Sequence, residues 1–261
     1  MRLRHLPGSS ALLVGALAFA TTVQAGGTND YDGPSSVSAP KSTVTFSGSD
    51  WSKDASYFYS GLIFALNRDL GRDGIVLRGF AGVPMYEYDS SVPGGVVDGD
   101  GVQGDLMIGY LWHRDRVTFS AYVGVEYQDY DLTPDDPTSK VRGSEVGLKV
   151  AGDIASAYGS PLYWNIHGSY STAFDTYWAR GRIGYDAGRF VIGPEVIAMG
   201  NEGFDAHRIG GFVTLRVDLS PSLQSEITGY VGHQFVDDDS GTTSTRGGEG
   251  TYGGIGFSLV F

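Results

Sequence analysis

The sequence predicts an all-β fold: a transmembrane, antiparallel, up-and-down β-barrel of about 12 strands, with 10 as the alternative count. Three observations predict it. Apolar side chains recur at every second position through almost the whole chain after residue 42, the alternating stretches often run to ten or more residues, and the links between them alternate in length. Strands of soluble sandwiches average about 5 to 6 residues, whereas a tilted strand needs about 9 to 11 to cross a bilayer. Length therefore favours a membrane over a soluble sandwich, whose strands also alternate.

The elements follow in order. Arg2 and Arg4, the apolar run at 11–23 and the small residues around Val23-Gln24-Ala25 read as a secretory signal peptide, residues 1–25, cleaved after Ala25. The run falls short of the roughly 20 apolar residues a spanning helix needs. Residues 26–42, rich in Gly, Ser, Pro and Asp with Pro34 and Pro40, read as a disordered lead-in. The barrel is assigned to 43–261. Its first strand is the shortest, Thr43 to Ser47, followed by a polar link through Asp50 and Lys53. Further strands are expected near 57–68, 74–88, 102–113, 116–128, 141–154, 162–171, 175–186, 189–200, 206–219, 223–236 and 251–261. Residues 57–67 alternate least cleanly, which keeps the ten-stranded count open.

The alternation is sharpest at 117–128, where Val117, Phe119, Ala121, Val123, Val125 and Tyr127 oppose Thr118, Ser120, Tyr122, Gly124, Glu126 and Gln128. One face is wholly apolar. The same split sets Val146, Leu148, Val150 and Ile154 against Glu145, Lys149 and Asp153, and Leu162, Trp164, Ile166 and Tyr170 against Tyr163, Asn165, His167 and Ser169. Ile255, Phe257, Leu259 and Phe261 close the chain on an aromatic, a pattern similar to the terminal strand of outer-membrane barrels. Tyr127, Tyr177 and Tyr185 near strand ends suit interfacial aromatic girdles. Short links at 113–116, 186–189 and 220–222 interleave with longer ones at 89–101, 129–140 and 236–250, as expected for periplasmic turns and external loops in the bacterial outer membrane.

Composition removes other classes. A net charge of -12 repels nucleic acid, and the absence of cysteine excludes disulfides and thiolate metal sites. No stretch after the signal peptide could be a spanning helix. Forty glycines, spread through the strands, suit crowded sheet in which backbones approach closely.

Particular runs then carry a resemblance: YSGLIFALNRDLGRDG at 59–74, VGVEYQD at 123–129 leading to PDDP at 134–137, and IGPEV at 192–196 followed by Gly200-Asn201. Over roughly 57–261 the chain resembles the BcsS family of cellulose-biosynthesis proteins. That resemblance implies an outer-membrane accessory of a Gram-negative cellulose secretion system, with outer-membrane lipid and lipopolysaccharide around it and with cellulose and other secretion components as partners. It implies no catalytic residue.

A protein handling a neutral β-glucan would use aromatic faces for stacking and polar side chains for hydroxyls. The candidates on the inward face are Tyr122, Glu126, Tyr163, Asn165, Trp178, Arg180, Arg182, Arg208 and Arg216. The same residues equally suit a lumen filled by ion pairs, with Glu126, Glu145 and Glu195 answering Arg180, Arg182 and Arg208. Two other functions compete, a general small-solute channel and a membrane-embedded lipid hydrolase. The hydrolase would need a nucleophile beside a histidine, and His167 with Ser169, His207 or His233 are the only footholds, without a Gly-x-Ser-x-Gly elbow. Asp135-Asp136 and Asp237-Asp238-Asp239 are adjacent loop residues that cannot straddle a glycosidic bond. Asp98-Gly-Asp-Gly101 and the Asp237 run lack the full spacing of a calcium loop, and Gly94-Gly95 lacks the Lys-Ser/Thr of a phosphate loop. No cofactor or metal is expected.

Overall fold

The computed structural model describes residues 40–157, 160–220, 222–236 and 248–261. The stretch read as a signal peptide, most of the stretch read as a lead-in and most of the 236–250 link lie outside the described residues. Twelve antiparallel strands, each bonded to its sequence neighbours, close into a barrel by pairing the first with the last. They are β1 (Thr43–Ser52), β2 (Ala55–Ala65), β3 (Gly74–Asp89), β4 (Val96–Arg114), β5 (Val117–Thr133) and β6 (Gly143–Ser156), then β7 (Leu162–Ser171), β8 (Tyr177–Asp186), β9 (Phe190–Asn201), β10 (Phe204–Ser220), β11 (Leu223–Val236) and β12 (Gly250–Val260). The ten-stranded alternative is thereby excluded.

Burial runs opposite to that of a soluble protein. Leu106 and Val146 are 71% and 70% exposed, and Leu148, Val150, Ile166, Ile183, Ile209 and Val231 are exposed with them. Asp50, Glu126, Lys149, Glu195, Arg180 and Arg208 are buried. Such an arrangement is stable where hydrocarbon surrounds the protein, because a closed barrel leaves no backbone edge unpaired in lipid. Tyr127, Tyr170, Tyr185 and Trp51 stand exposed on this outer face, and Tyr177 is half-buried there.

Closure depends on the last residue. The Phe261 carbonyl accepts from the Ser42 and Thr43 amides at 2.8 Å each, and the Phe261 amide donates to the Thr43 carbonyl at 2.9 Å. The register then runs from Val44↔Val260 to Trp51↔Gly253. Lys41 belongs to this junction as well, since the Leu70 amide donates to its carbonyl at 2.7 Å.

Several boundaries differ from the sequence expectation. β1 continues through Ser52, so Asp50 is an inward strand residue and the external link is the turn at Lys53 and Asp54, the latter at φ 61°. β2 ends at Ala65, and residues 66–73 form a periplasmic loop longer than that external turn. β4 begins at Val96, which places Asp98 and Asp100 in a strand and shortens the external link to 90–95. β5 likewise reaches Thr133, leaving 134–142 as its loop. The alternation of link lengths is therefore partial. Where β3 to β5 project outward, the chain stays in the sheet instead of forming a loop.

β2 alternates poorly because it is apolar or aromatic on both faces: Phe58 and Leu62 face out, while Tyr57, Tyr59 and Ile63 are buried inside. Inward tyrosine rings lie over glycines of neighbouring strands. A Cβ at Gly82 would strike Tyr57, and one at Gly210 or Gly232 would strike Tyr252. Glycine at these positions admits the rings that fill the barrel.

Candidate functional site

Strand parity sends the polar half of each strand into the lumen, and the lumen is where charge collects. Arg208 of β10 reaches Asp50 of β1 with Nη1 donating to both carboxylate oxygens at 3.0 and 3.1 Å. Both side chains are 0% exposed. The Arg208 Nε donates to Gln234 Oε1 at 2.8 Å, and the Tyr230 hydroxyl donates to Asp50 Oδ2 at 3.0 Å. Beside them, Arg182 Nε donates to Glu195 Oε2 at 2.7 Å, while the Tyr252 hydroxyl donates to the other Glu195 oxygen at 2.9 Å.

A second network fills the lumen along β3 to β6. Lys149 Nζ donates to Asp105 Oδ2 at 2.8 Å and also to Glu126 Oε1, and Arg78 Nη2 lies 3.7 Å from Asp105. Gln128 Nε2 donates to the other Glu126 oxygen at 2.9 Å, and the Tyr130 hydroxyl donates to Gln128 at 3.0 Å. Buried charges persist when they are paired, as each of these carboxylates is, although Asp105 Oδ1 and Arg208 Nη2 have no hydrogen-bond partner among the described residues. At the periplasmic end Arg216 bridges Asp186 at 2.6 Å and Glu226 at 3.1 Å.

All nine sequence candidates point inward. Tyr122, Glu126, Asn165, Trp178, Arg180, Arg182, Arg208 and Arg216 are buried, and Tyr163 is half-buried against Phe212 with ring centroids 5.8 Å apart. The expected ion pairs are redistributed. Glu195 does answer Arg182, but Glu126 pairs with Lys149 and Arg208 with Asp50. Glu145 sits at the external rim, where Oε2 accepts from the Phe174 amide at 3.0 Å. Arg78 and Asp105 also face inward, and parity alone marks them, because Asp105 opposes Leu106 and Arg78 opposes Leu77; Asp50 joins them only because β1 runs past Ser47.

At the external rim lies a short 310 turn, Ala173–Asp175. The Thr172 amide donates to the Leu148 carbonyl at 2.9 Å, and the Glu202 amide donates to the Phe174 carbonyl at 3.0 Å, so the turn bridges β6 to the β9–β10 link. Phe174 is buried with its ring edge-on to Tyr130 at 5.5 Å. Nearby, Asp136 of the β5–β6 loop accepts from Ser90 Oγ at 2.6 Å, Thr138 Oγ1 at 2.6 Å, the Thr138 amide at 3.0 Å and the Tyr88 hydroxyl at 3.1 Å. Burial raises the Asp136 pKa, but these donors outweigh it and hold the carboxyl below its ordinary value.

Of the histidines, His167 faces the lumen. His167 Nδ1 lies 2.9 Å from Asp153 Oδ1, and Ser120 Oγ donates to the other oxygen of the same carboxylate at 3.4 Å. The carboxylate thus stands between serine and histidine, whereas acyl transfer needs the histidine between serine and carboxylate. His207 and His233 face outward, flanking Phe235 at 5.1 and 4.7 Å between ring centroids. Among the described residues no three His, Asp or Glu side chains form a group that could hold a metal ion.

A closed antiparallel barrel with an apolar outer belt and a charged, paired interior defines an integral protein of the bacterial outer membrane. The model of the family "Cellulose biosynthesis protein BcsS" matches residues 44–261, and the chain belongs to that family. The match begins at β1, earlier than the stretch whose motifs carry the resemblance. No curated protein sequence matches the chain. Among solved structures it is similar to the KdgM porin, at 12% identity over 84% of this chain and 99% of that one with a TM-score of 0.42. It is also similar to a Pseudomonas aeruginosa FadL homologue, at 12% identity over 79% and 67% of the two chains with a TM-score of 0.37, and to the protease OmpT of Escherichia coli, at 8% identity over 84% and 92% with a TM-score of 0.28.

Proposed function

We propose that this barrel is a non-enzymatic accessory of cellulose biosynthesis and export, a scaffold for the secreted β-glucan at the outer membrane whose lumen is closed at rest. Membership of the BcsS family supports the cellulose link. The observation that carries the closed lumen is the full burial of Asp50 and Arg208, which meet across the interior from β1 and β10. An open solute channel would leave its lumen-facing charges wet, as the water-filled interiors of porins do. The interposed carboxylate of Asp153 argues against hydrolysis. The role is tested by deleting the gene and restoring it: secreted cellulose should fall and then recover while membrane synthase activity stays constant. Unchanged secretion would refute the role, and a large steady conductance of the purified protein in planar bilayers would favour the general channel.

A further inference from the structure

The lumen is not evenly satisfied. Asp50, Asp105, Glu126 and Glu195 meet cationic partners, as described above, although single atoms such as Asp105 Oδ1, Gln103 Oε1 and Arg208 Nη2 have no hydrogen-bond partner among the described residues. Along β7 and the adjoining part of β8 such atoms fall together on neighbouring residues. Asn165 is 0% exposed and neither its Oδ1 nor its Nδ2 has a hydrogen-bond partner among the described residues. Trp178, 1% exposed, has no acceptor for its indole N–H, and His167, 2% exposed, has none for Nε2. These side chains occupy three successive inward rungs of the β7–β8 pair, Asn165↔Arg182, His167↔Arg180 and Ser169↔Trp178. Asn165 and His167 are successive inward positions of β7, about 6.8 Å apart along the strand, and the His167 and Trp178 ring centroids are 5.2 Å apart.

An unmet buried donor or acceptor is costly, so four such atoms on one strand pair are a substantial local cost. One residue lies over part of this stretch. The Arg180 guanidinium lies over the Trp178 ring at 5.2 Å and within electrostatic reach of Tyr59 on β2, six strands away around a barrel of twelve and hence on the opposite wall. It occupies the aromatic face on which a sugar ring would stack.

We infer that Asn165, His167 and Trp178 form a binding strip for a neutral, hydroxyl-rich ligand, a segment of glucan chain, and that Arg180 is the side chain that closes it. The inference rests on the cellulose reading above and assigns its contact site. The chemistry fits that class. The strip offers an indole donor, an amide donor and acceptor, an imidazole nitrogen and one aromatic face. Sugar hydroxyls both donate and accept, so they can meet all of these without bringing a charge into the lumen.

The test is calorimetric titration of cellotetraose into the folded barrel in detergent, with folding verified by heat-modifiable gel migration. R180A should bind cellotetraose at least about tenfold more tightly than the unsubstituted protein, the change expected when one competing contact is removed. Adding N165A or W178A to R180A should weaken binding by about tenfold or more, the loss of one hydrogen-bonded or stacked contact. A folded R180A barrel that does not bind, or binding indifferent to N165A and W178A, would overturn the strip and leave ordered water as its occupant. Either result is independent of the secretion assay, so the strip can fail while the accessory role stands.

Discussion

The pair formed by Asp50 and Arg208 offers the sharpest energetic prediction. Both side chains are inaccessible to solvent, and Arg208 holds both carboxylate oxygens at 3.0 and 3.1 Å. D50A would leave the guanidinium in the lumen with Gln234 as its remaining hydrogen-bond partner and would also remove the shorter of the Tyr230 hydroxyl's contacts to Asp50 and the Ser49 carbonyl. Removing one member of a buried pair costs about 3–5 kcal/mol, because the surviving charge stays desolvated. Each 1.4 kcal/mol or so is a factor of ten, which corresponds to roughly two to three and a half powers of ten in the folding equilibrium. R208M should cost a similar amount. The double substitution D50L/R208M removes both charges and should cost clearly less than either single change, since apolar replacements of a buried pair are often neutral. The assay is urea-dependent folding into lipid vesicles, followed by heat-modifiable migration. A D50A cost below about 1 kcal/mol, or a double substitution costing the sum of the two, would refute the claim that this pair is dry and mutually compensating.

Three further outcomes follow from the structure. Leu106→Arg, on the lipid-facing side of β4, should destabilise the barrel by about 2–4 kcal/mol in vesicles if it lies near the bilayer midplane, read from the same urea titration. Gly82→Ala places a Cβ against Tyr57 and should cost about 1–3 kcal/mol, with recovery in G82A/Y57F if the hydroxyl is the obstacle. Because the Asp136 pKa is depressed in the folded loop, its stabilisation is present above the unfolded carboxylate value and is lost as pH falls through the folded one. The protection factors in residues 134–142, exchange measured against the intrinsic rate at each pH, should therefore stay constant from neutral pH to about 4 and fall only in more acid solution, and D136N should lower them at neutral pH.

The barrel was legible because period-two alternation needs only the sequence, and a single parity assignment per strand decides which side chains face lipid. That is why all nine lumen candidates point inward. The partners were less legible, because pairing across a lumen depends on barrel shape and not on spacing. Asp50 meets Arg208, 158 positions away, and nothing local to either residue announces it. The first strand was cut short because Gly48, Ser49 and Asp50 look like a turn by composition, although they pair with both β2 and β12. The projecting ends of β3 to β5 were read as loops for a similar reason. Asp98, Gly99, Asp100 and Gly101 carry turn chemistry, but Gly99 and Gly101 are needed there to admit the Tyr86 and Tyr130 rings.

In this barrel the apolar face of every strand meets hydrocarbon while the opposite face packs inside the lumen. Because the chain has no cysteine, single cysteines can be placed at each position of 117–128 and spin-labelled. Collision with oxygen, which concentrates in lipid, and with a water-soluble nickel chelate would then be measured in vesicles. Oxygen accessibility is expected to peak at 119, 121, 123 and 125, with positions 122, 126 and 128 shielded from both reagents. Chelate access at 122 and 126 would contradict the filled lumen, and chelate access at 121, 123 and 125 would contradict the membrane itself.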